Sequence, residues 1–416
     1  MNRFFSNMIK SELARASLIL LILTFIGNFL SYLFQFIMAR MLGPADYGTL
    51  AVLTSIVAIF GLPAISIQTV VSKYTTRFNV KKEYGKIHGM LKYLINRVLI
   101  ISMISFIIFA IIAWPWAKYL EMPYWLLLIA GLYLFGAFLY PITAGILQGR
   151  KKFNLLGISF MINCLFKLIS AIILVSVGFR VYGATAGFAI GVFVSFILMF
   201  LLMKDVRKVN PIIEKVPLFT KQSSYPFFAM LLIVFIYSSD VIFAKVFFSA
   251  EMAGQYSVLS MIGKIILFVI MSICTAMFPI NSEKFEQGKE TRGVFTKAFG
   301  LSLGVAVIGI LISLFYPYGT IKLLFGEQYL QIYSLLIYVV LAFSFISLLT
   351  LLIFYKLSIE EIGKKDIIIL ALFFILEIVL FFVFNKDIGE FSKGFMISTL
   401  ISFIGGLILF NHGKKS

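Results

Sequence analysis

Ionisable side chains are scarce in this 416-residue chain: 13% of residues are Asp, Glu, Lys or Arg, against roughly 25% in an ordinary soluble domain. Histidine and cysteine are scarcer still, with two of each. Cys164 and Cys274 both fall inside apolar runs, so they read as buried thiols rather than as a disulfide. His88 and His412 lie in basic segments and offer no spacing suited to a metal ligand set. No cofactor or metal is implied. A nucleotide-hydrolysis loop is missing too: the glycine-bearing, basic run GILQGRKK at 145–152 has the wrong spacing and no hydroxyl residue after its lysine. The outer connections are short, which leaves little room for the acid–base groups that a membrane glycosyltransferase or ligase needs. The chain is therefore not expected to be an enzyme.

What is abundant is apolar surface. Hydrophobic residues make up 61% of the chain and 46 residues are Phe. About 20 apolar residues in helical form cross roughly 30 Å of hydrocarbon. Stretches of that kind occur near 17–39, 49–72, 94–117, 124–147, 155–177 and 184–203, and again near 225–248, 255–279, 298–318, 331–353, 367–384 and 394–411. The expected fold is an all-α polytopic membrane protein of about twelve transmembrane helices in two six-helix lobes. The lobes are residues 1–210 and 211–416, joined through the polar linker at 204–222. Arg3, Lys10 and Arg15 precede the first span, but that span is too long for a signal segment and leads straight into another, so it reads as a membrane helix.

A net charge of +18 would suit nucleic acid, but the positions of the charges point elsewhere. With the N-terminus inside, 26 of the 36 Lys and Arg residues fall in inner segments; Arg40, Lys118, Arg180, Lys322, Lys386 and Lys393 fall outside. That is the positive-inside pattern, with both termini cytoplasmic and an even number of spans. The basic surface then needs anionic lipid headgroups as its partner and no nucleic acid. Trp114, Trp116, Tyr119, Tyr124 and Trp125 cluster at the outer ends of the third and fourth spans, as an interfacial aromatic belt does.

The two halves share a signature. ARMLGPADYGTLAVL at 39–53 aligns with AKVFFSAEMAGQYSVL at 244–259, matching Arg40 with Lys245, Asp46 with Glu251 and, after one inserted residue, Gly48 with Gly254. Paired repeats of this kind build a central binding site in many secondary transporters.

A charge near the middle of a membrane helix costs about 2.5–3.5 kcal/mol on insertion scales, so each one marks a candidate site. The candidates are Lys167 in the fifth span, Asp240 and Lys245 in the seventh, Lys264 in the eighth and Glu377 in the eleventh, with Arg97 near an inner edge. Asp240 and Lys264 lie about equally far from the turn between the seventh and eighth spans, roughly 12 residues or 18 Å at 1.5 Å per residue, and are expected to pair. Lys245 lies nearer the outer end, where its stem would let it snorkel to the headgroups. Lys167 and Glu377 occupy corresponding spans of the two halves, with no basis for expecting them to touch. Asn28, Gln35, Gln68 and Asn163 read as helix-packing residues.

ARMLGPADYG after the first span, AGILQGRKKFNLLG entering the fifth, and DVIFAKVFFSAEMAGQYSVLSMIGKI across the seventh and eighth resemble the polysaccharide or O-antigen flippase family. That family belongs to the multidrug/oligosaccharidyl-lipid/polysaccharide exporter superfamily. The resemblance covers most of the chain. It implies two six-helix lobes around a central cavity, alternating access, and transfer of polyprenyl-diphosphate-linked oligosaccharide from the cytoplasmic to the outer leaflet. The chain departs from the longer lipid II flippases in lacking a thirteenth and a fourteenth helix. Arg40, Lys167, Lys245 and Lys264 would then face the phosphates, Asp240 would hold Lys264 while the cavity is empty, and Asp240 or Glu377 would serve a coupling ion, H+ or Na+. Glycosyltransferases of the same pathway are the expected protein partners. Two alternatives stay open at this point: an ion-coupled exporter of small organic cations, and a non-transporting scaffold of polysaccharide assembly.

Overall fold

The first membrane helix does not end in a loop; it breaks at a single residue. In the computed structural model, which describes residues 12–214, 216 and 224–411, helix α1 runs over Glu12–Gly61 with an interruption at Gly43 (φ 75°, ψ 171°), followed by Pro44. A positive φ costs glycine nothing. Pro44 has no N–H to leave unsatisfied and starts the next helical stretch. The expected gap between the first two spans thus shrinks to a kink. Arg3, Lys10, Lys215, Lys221, His412, Lys414 and Lys415 lie outside the described residues, as does the side chain of Arg15.

The remaining long helices are α2 (Pro63–Val80), α3 (Tyr84–Tyr119), α4 (Tyr124–Gly149), α5 (Phe153–Leu174), α6 (Arg180–Leu202), α7 (Ser224–Phe247), α8 (Ala250–Glu286), α9 (Arg292–Phe315), α10 (Leu336–Ser358), α11 (Lys364–Val383) and α12 (Ile388–Asn411). Among the described residues, ten helical stretches are long and apolar enough to cross a membrane. Two of these, Ile22–Val80 and Phe153–Leu202, are each broken midway, at Gly43 and at Gly178. Several helices outrun the apolar stretches seen in the sequence, because hydropathy marks only the part in hydrocarbon. The extra turns are polar: α3 begins ten residues before its apolar run, with Lys86, His88 and Lys92.

The chain divides into two compact units, Met1–Leu42 with Phe60–Lys221, and Gly43–Ile59 with Gln222–Ser416. In the first, α2 packs on α4, α3 on α4, α4 on α6 and α5 on α6. Its core gathers Val71, Phe78, Met90, Leu94, Phe138, Ile142, Met199 and Met203. In the second, α8 packs on α10, α10 on α12, α11 on α12, α7 on α11 and α9 on both α8 and α10. Large apolar side chains stay exposed along α3 (Ile100, Met103, Ile107, Ile111), α9 (Leu301, Ile308, Leu314) and α11 (Leu372, Ile375, Val379). A soluble protein rarely leaves such surfaces bare; in a membrane they meet lipid chains.

Candidate functional site

In the first unit the charged centre is Lys167. Its position is set by two glycines on α6. A Cβ on Gly187 would lie 2.8 Å from the carbonyl oxygen of Lys167, and one on Gly191 would lie 2.5 Å from that of Asn163. Small residues four apart let membrane helices approach backbone to backbone, and here they draw α5 onto α6. The Lys167 ammonium donates to Ser31 Oγ at 3.1 Å, and the Ser31 hydroxyl in turn meets Cys164 Sγ at 3.3 Å. Two aromatic faces flank the ammonium, Phe34 at 4.9 Å and Phe188 at 5.5 Å from Nζ to ring centroid, within the range of cation–π attraction. Among the described residues no carboxylate pairs with Lys167. Nearby polar groups are mutually bonded: Tyr140 and Ser159 share a hydrogen bond of 2.9 Å, and Ser195 donates to the Ser159 carbonyl at 2.7 Å. Arg40, on α1 three residues before the Gly43 break, is exposed.

One cluster in the second unit gathers two carboxylates, Asp240 and Glu377, and an ammonium, Lys264. Asp240 on α7 is fully buried. Lys264 on α8 donates to its Oδ1 at 3.4 Å, so the pair expected from the sequence forms. Oδ2 accepts from Ser260 at 2.5 Å and from Tyr256 at 3.5 Å. Tyr256, Ser260 and Lys264 stand four residues apart, which puts all three on one face of α8. That spacing was the signal in the sequence for the two hydroxyl partners. Next to Asp240, the Ser239 hydroxyl donates to Glu377 on α11, which is 1% exposed. Lys264 also lies over the Phe343 ring, 5.6 Å from its centroid. Around the cluster, Phe381 stacks on Phe391 at 4.6 Å and Phe391 meets Tyr256 edge-on at 5.3 Å. The surroundings are therefore largely aromatic, and each carboxylate accepts from hydroxyl donors, as buried charge requires.

Of the two roles open to Lys245, a side chain snorkelling to the headgroups and one turned into the protein, its 7% exposure fits the second: it is packed into the unit.

Away from the membrane spans, Asp205 sits in the single turn Lys204–Arg207 that follows α6. Its Oδ2 accepts from Arg150 at 2.7 Å and from Lys152 at 2.9 Å. The Arg150 hydrogen bond, then that of Lys152, hold its carboxyl well below the usual carboxylate range against the opposing effect of burial.

Two compact units of long apolar helices with ionisable groups buried inside them define a multi-pass membrane protein. Solved structures share the fold. The chain is similar to a multidrug-resistance MATE family transporter in an inward-facing conformation (TM-score 0.68, 15% identity, covering 92% of this chain and 94% of that one). It is similar to the lipid II flippase MurJ (TM-score 0.67, 15% identity, 94% and 87%). A third match is a transporter of the same superfamily from Pyrococcus furiosus, described as having a binding pocket of reverse polarity (TM-score 0.60, 17% identity, 98% of both chains). Residues 13–285, more than half of the chain, match the family described as polysaccharide biosynthesis protein, and the chain belongs to that family. No curated protein matches it.

Proposed function

We propose that the protein is a flippase that moves polyprenyl-diphosphate-linked oligosaccharide across the cytoplasmic membrane, by alternating access of lobes 1–210 and 211–416. The observation that carries this reading is Lys167: a buried ammonium with a serine and two aromatic rings for neighbours and no carboxylate among the described residues. Such a group is suited to an incoming anion. A diphosphate offers several strong acceptors, and lysine binds phosphate as a point charge. Arg40, with its bidentate guanidinium, and Lys245 serve as further phosphate contacts along the route.

Lys264 plays a different part, because Asp240 already neutralises it. It becomes available to substrate when Asp240 is satisfied by another cation. Asp240 and Glu377 are buried carboxylates on α7 and α11, suited to carry a coupling ion, H+ or Na+. With both termini cytoplasmic, an inside-negative potential assists outward movement of the anionic substrate by about 2.3 kcal/mol per charge per 100 mV. Glycosyltransferases that build the glycan supply the cargo.

Buried acid in the second unit favours one competing reading, an exporter of organic cations. A fluorescent polyprenyl-diphosphate oligosaccharide in proteoliposomes separates the two. Protein-dependent translocation should fall roughly ten- to a hundredfold in Lys167→Ala, the loss expected for one charged hydrogen bond, and be partly restored in Lys167→Arg. Organic-cation efflux without movement of the oligosaccharide would replace the flippase reading with the second one.

A further inference from the structure

The turn between α4 and α5 carries cations at a depth where lipid phosphates lie. Tyr124, the first residue of α4, belongs to the aromatic cluster expected at the outer interface. About 20 helical residues cross the hydrocarbon, so counting from Tyr124 brings the inner boundary near residue 144. Arg150 lies about six residues further on, roughly 9 Å at 1.5 Å per residue. That is headgroup level, since headgroups add about 5–7 Å on each side of the hydrocarbon. The turn is tight, with Lys151 in the left-handed region (φ 58°), and Phe153 starts α5 at once.

Two cations of this turn converge on one oxygen, Oδ2 of Asp205. A carboxylate oxygen shared by Arg150 and Lys152 occupies the position that a phosphate oxygen would take. The Arg150 side chain is 11% exposed, and its Nε and Nη1 are buried with no acceptor among the described residues. Lys152 and Asp205 are far more open, at 36% and 45%. Lys204, exposed, precedes Asp205 in the same turn. Arg207 closes that turn; its Nη2 donates to the Leu201 carbonyl at 3.2 Å and its guanidinium lies over Phe200, 4.4 Å from the ring centroid. Just before Lys204 in the chain, the last turns of α6 leave Ile197, Leu201 and Leu202 about half exposed. Apolar chain and phosphate thus find matching surfaces in sequence along one helix end.

We infer that Arg150, Lys152 and Lys204 form a site for a lipid-borne phosphate, in which Asp205 is the displaceable stand-in and the chains lie along Ile197, Leu201 and Leu202. The ligand chemistry is a phosphate ester on a hydrophobic anchor. Both an anionic phospholipid and a polyprenyl diphosphate supply it. The site needs no transport step, so its test is independent of the flippase reading.

Native mass spectrometry of the full chain in detergent, with one added lipid at a time, reads occupancy directly. Phosphatidylglycerol and undecaprenyl diphosphate should be retained and zwitterionic phosphatidylcholine lost. Lys152→Gln and Lys204→Gln should each lower occupancy about fivefold, as expected per juxtamembrane cation. Asp205→Asn should raise it, a gain that a folding defect would not produce. Preference for undecaprenyl diphosphate would make the transported carrier the ligand, and preference for phosphatidylglycerol would make it bulk phospholipid; either supports the site. Equal retention of phosphatidylcholine, unchanged occupancy in all three variants, or binding of free pyrophosphate with no preference for its lipid forms would overturn the assignment.

Discussion

Gly48 and Gly254, the glycines matched between the two halves of the sequence, pack against each other in the second unit. A Cβ on Gly48 would lie 2.8 Å from the Cα of Gly254, and one on Gly254 would lie 1.8 Å from the carbonyl oxygen of Pro44. The obstacle in both cases is backbone, which has little freedom to retreat. Tyr47 beside them is fully buried, with Tyr329 edge-on at 5.9 Å and Phe325 at 6.3 Å.

Gly254→Ala should therefore destabilise the protein by about 1–3 kcal/mol, the usual cost of overpacking. A thermal unfolding curve in detergent checks this. Gly300→Ala is the control, because nothing lies within 4 Å of a Cβ there; equal midpoints for the two variants would show that the close approach is not retained in solution.

Asp240 and Lys264 should behave as a unit. Removing one partner of a buried pair leaves an uncompensated charge and costs about 3–5 kcal/mol. Lys264→Met and Asp240→Leu should each lower the unfolding midpoint, and the double variant should recover much of the loss. Ser260 and Tyr256 also donate to Asp240, so Lys264→Met should be the milder single change. Additive losses in the double variant would mean that the two side chains do not interact.

Asp205 gives a pH dependence with a definite sign. Its carboxyl titrates below the usual range in the folded protein, whereas an unperturbed Asp titrates near 3.9. Its stabilising contribution is thus complete above about pH 4 and fades as the pH drops from there toward the depressed folded value. The side chain is 45% exposed, so solvent screening limits the effect to less than about 1 kcal/mol. Asp205→Asn should melt slightly earlier than the parent at pH 7, and the gap should narrow below pH 4. A gap that is constant down to pH 3 would assign the loss to something other than the charge.

The spans were legible because hydrocarbon imposes one length and one composition on every helix that crosses it. The Asp240–Lys264 pair was legible for a related reason: two residues equidistant from a tight turn must share a depth. Lys245 was not. Its distance from the helix end is compatible with snorkelling, and only packing decides whether the stem turns inward. The hydroxyls at Ser31 and Ser239 were hidden as well. In an apolar helix a serine reads as a small packing residue until a charged neighbour from another helix is found beside it. The gap between the spans at 17–39 and 49–72 points to a connection, yet the chain there needs only one residue at positive φ, Gly43, before helix resumes.

The assignment of Gly43–Ile59 to the second unit has a consequence for dissection of the protein. A fragment cut at the central linker would remove from its neighbour a piece of that neighbour's own interior, including Tyr47 from between Phe325 and Tyr329. The N-terminal product would hold the first unit together with a segment cut off from its own packing partners, and the C-terminal product would lack part of its interior. The second unit is threaded through the first along the chain, so a gene split at the middle would leave that fold incomplete until the two products found each other.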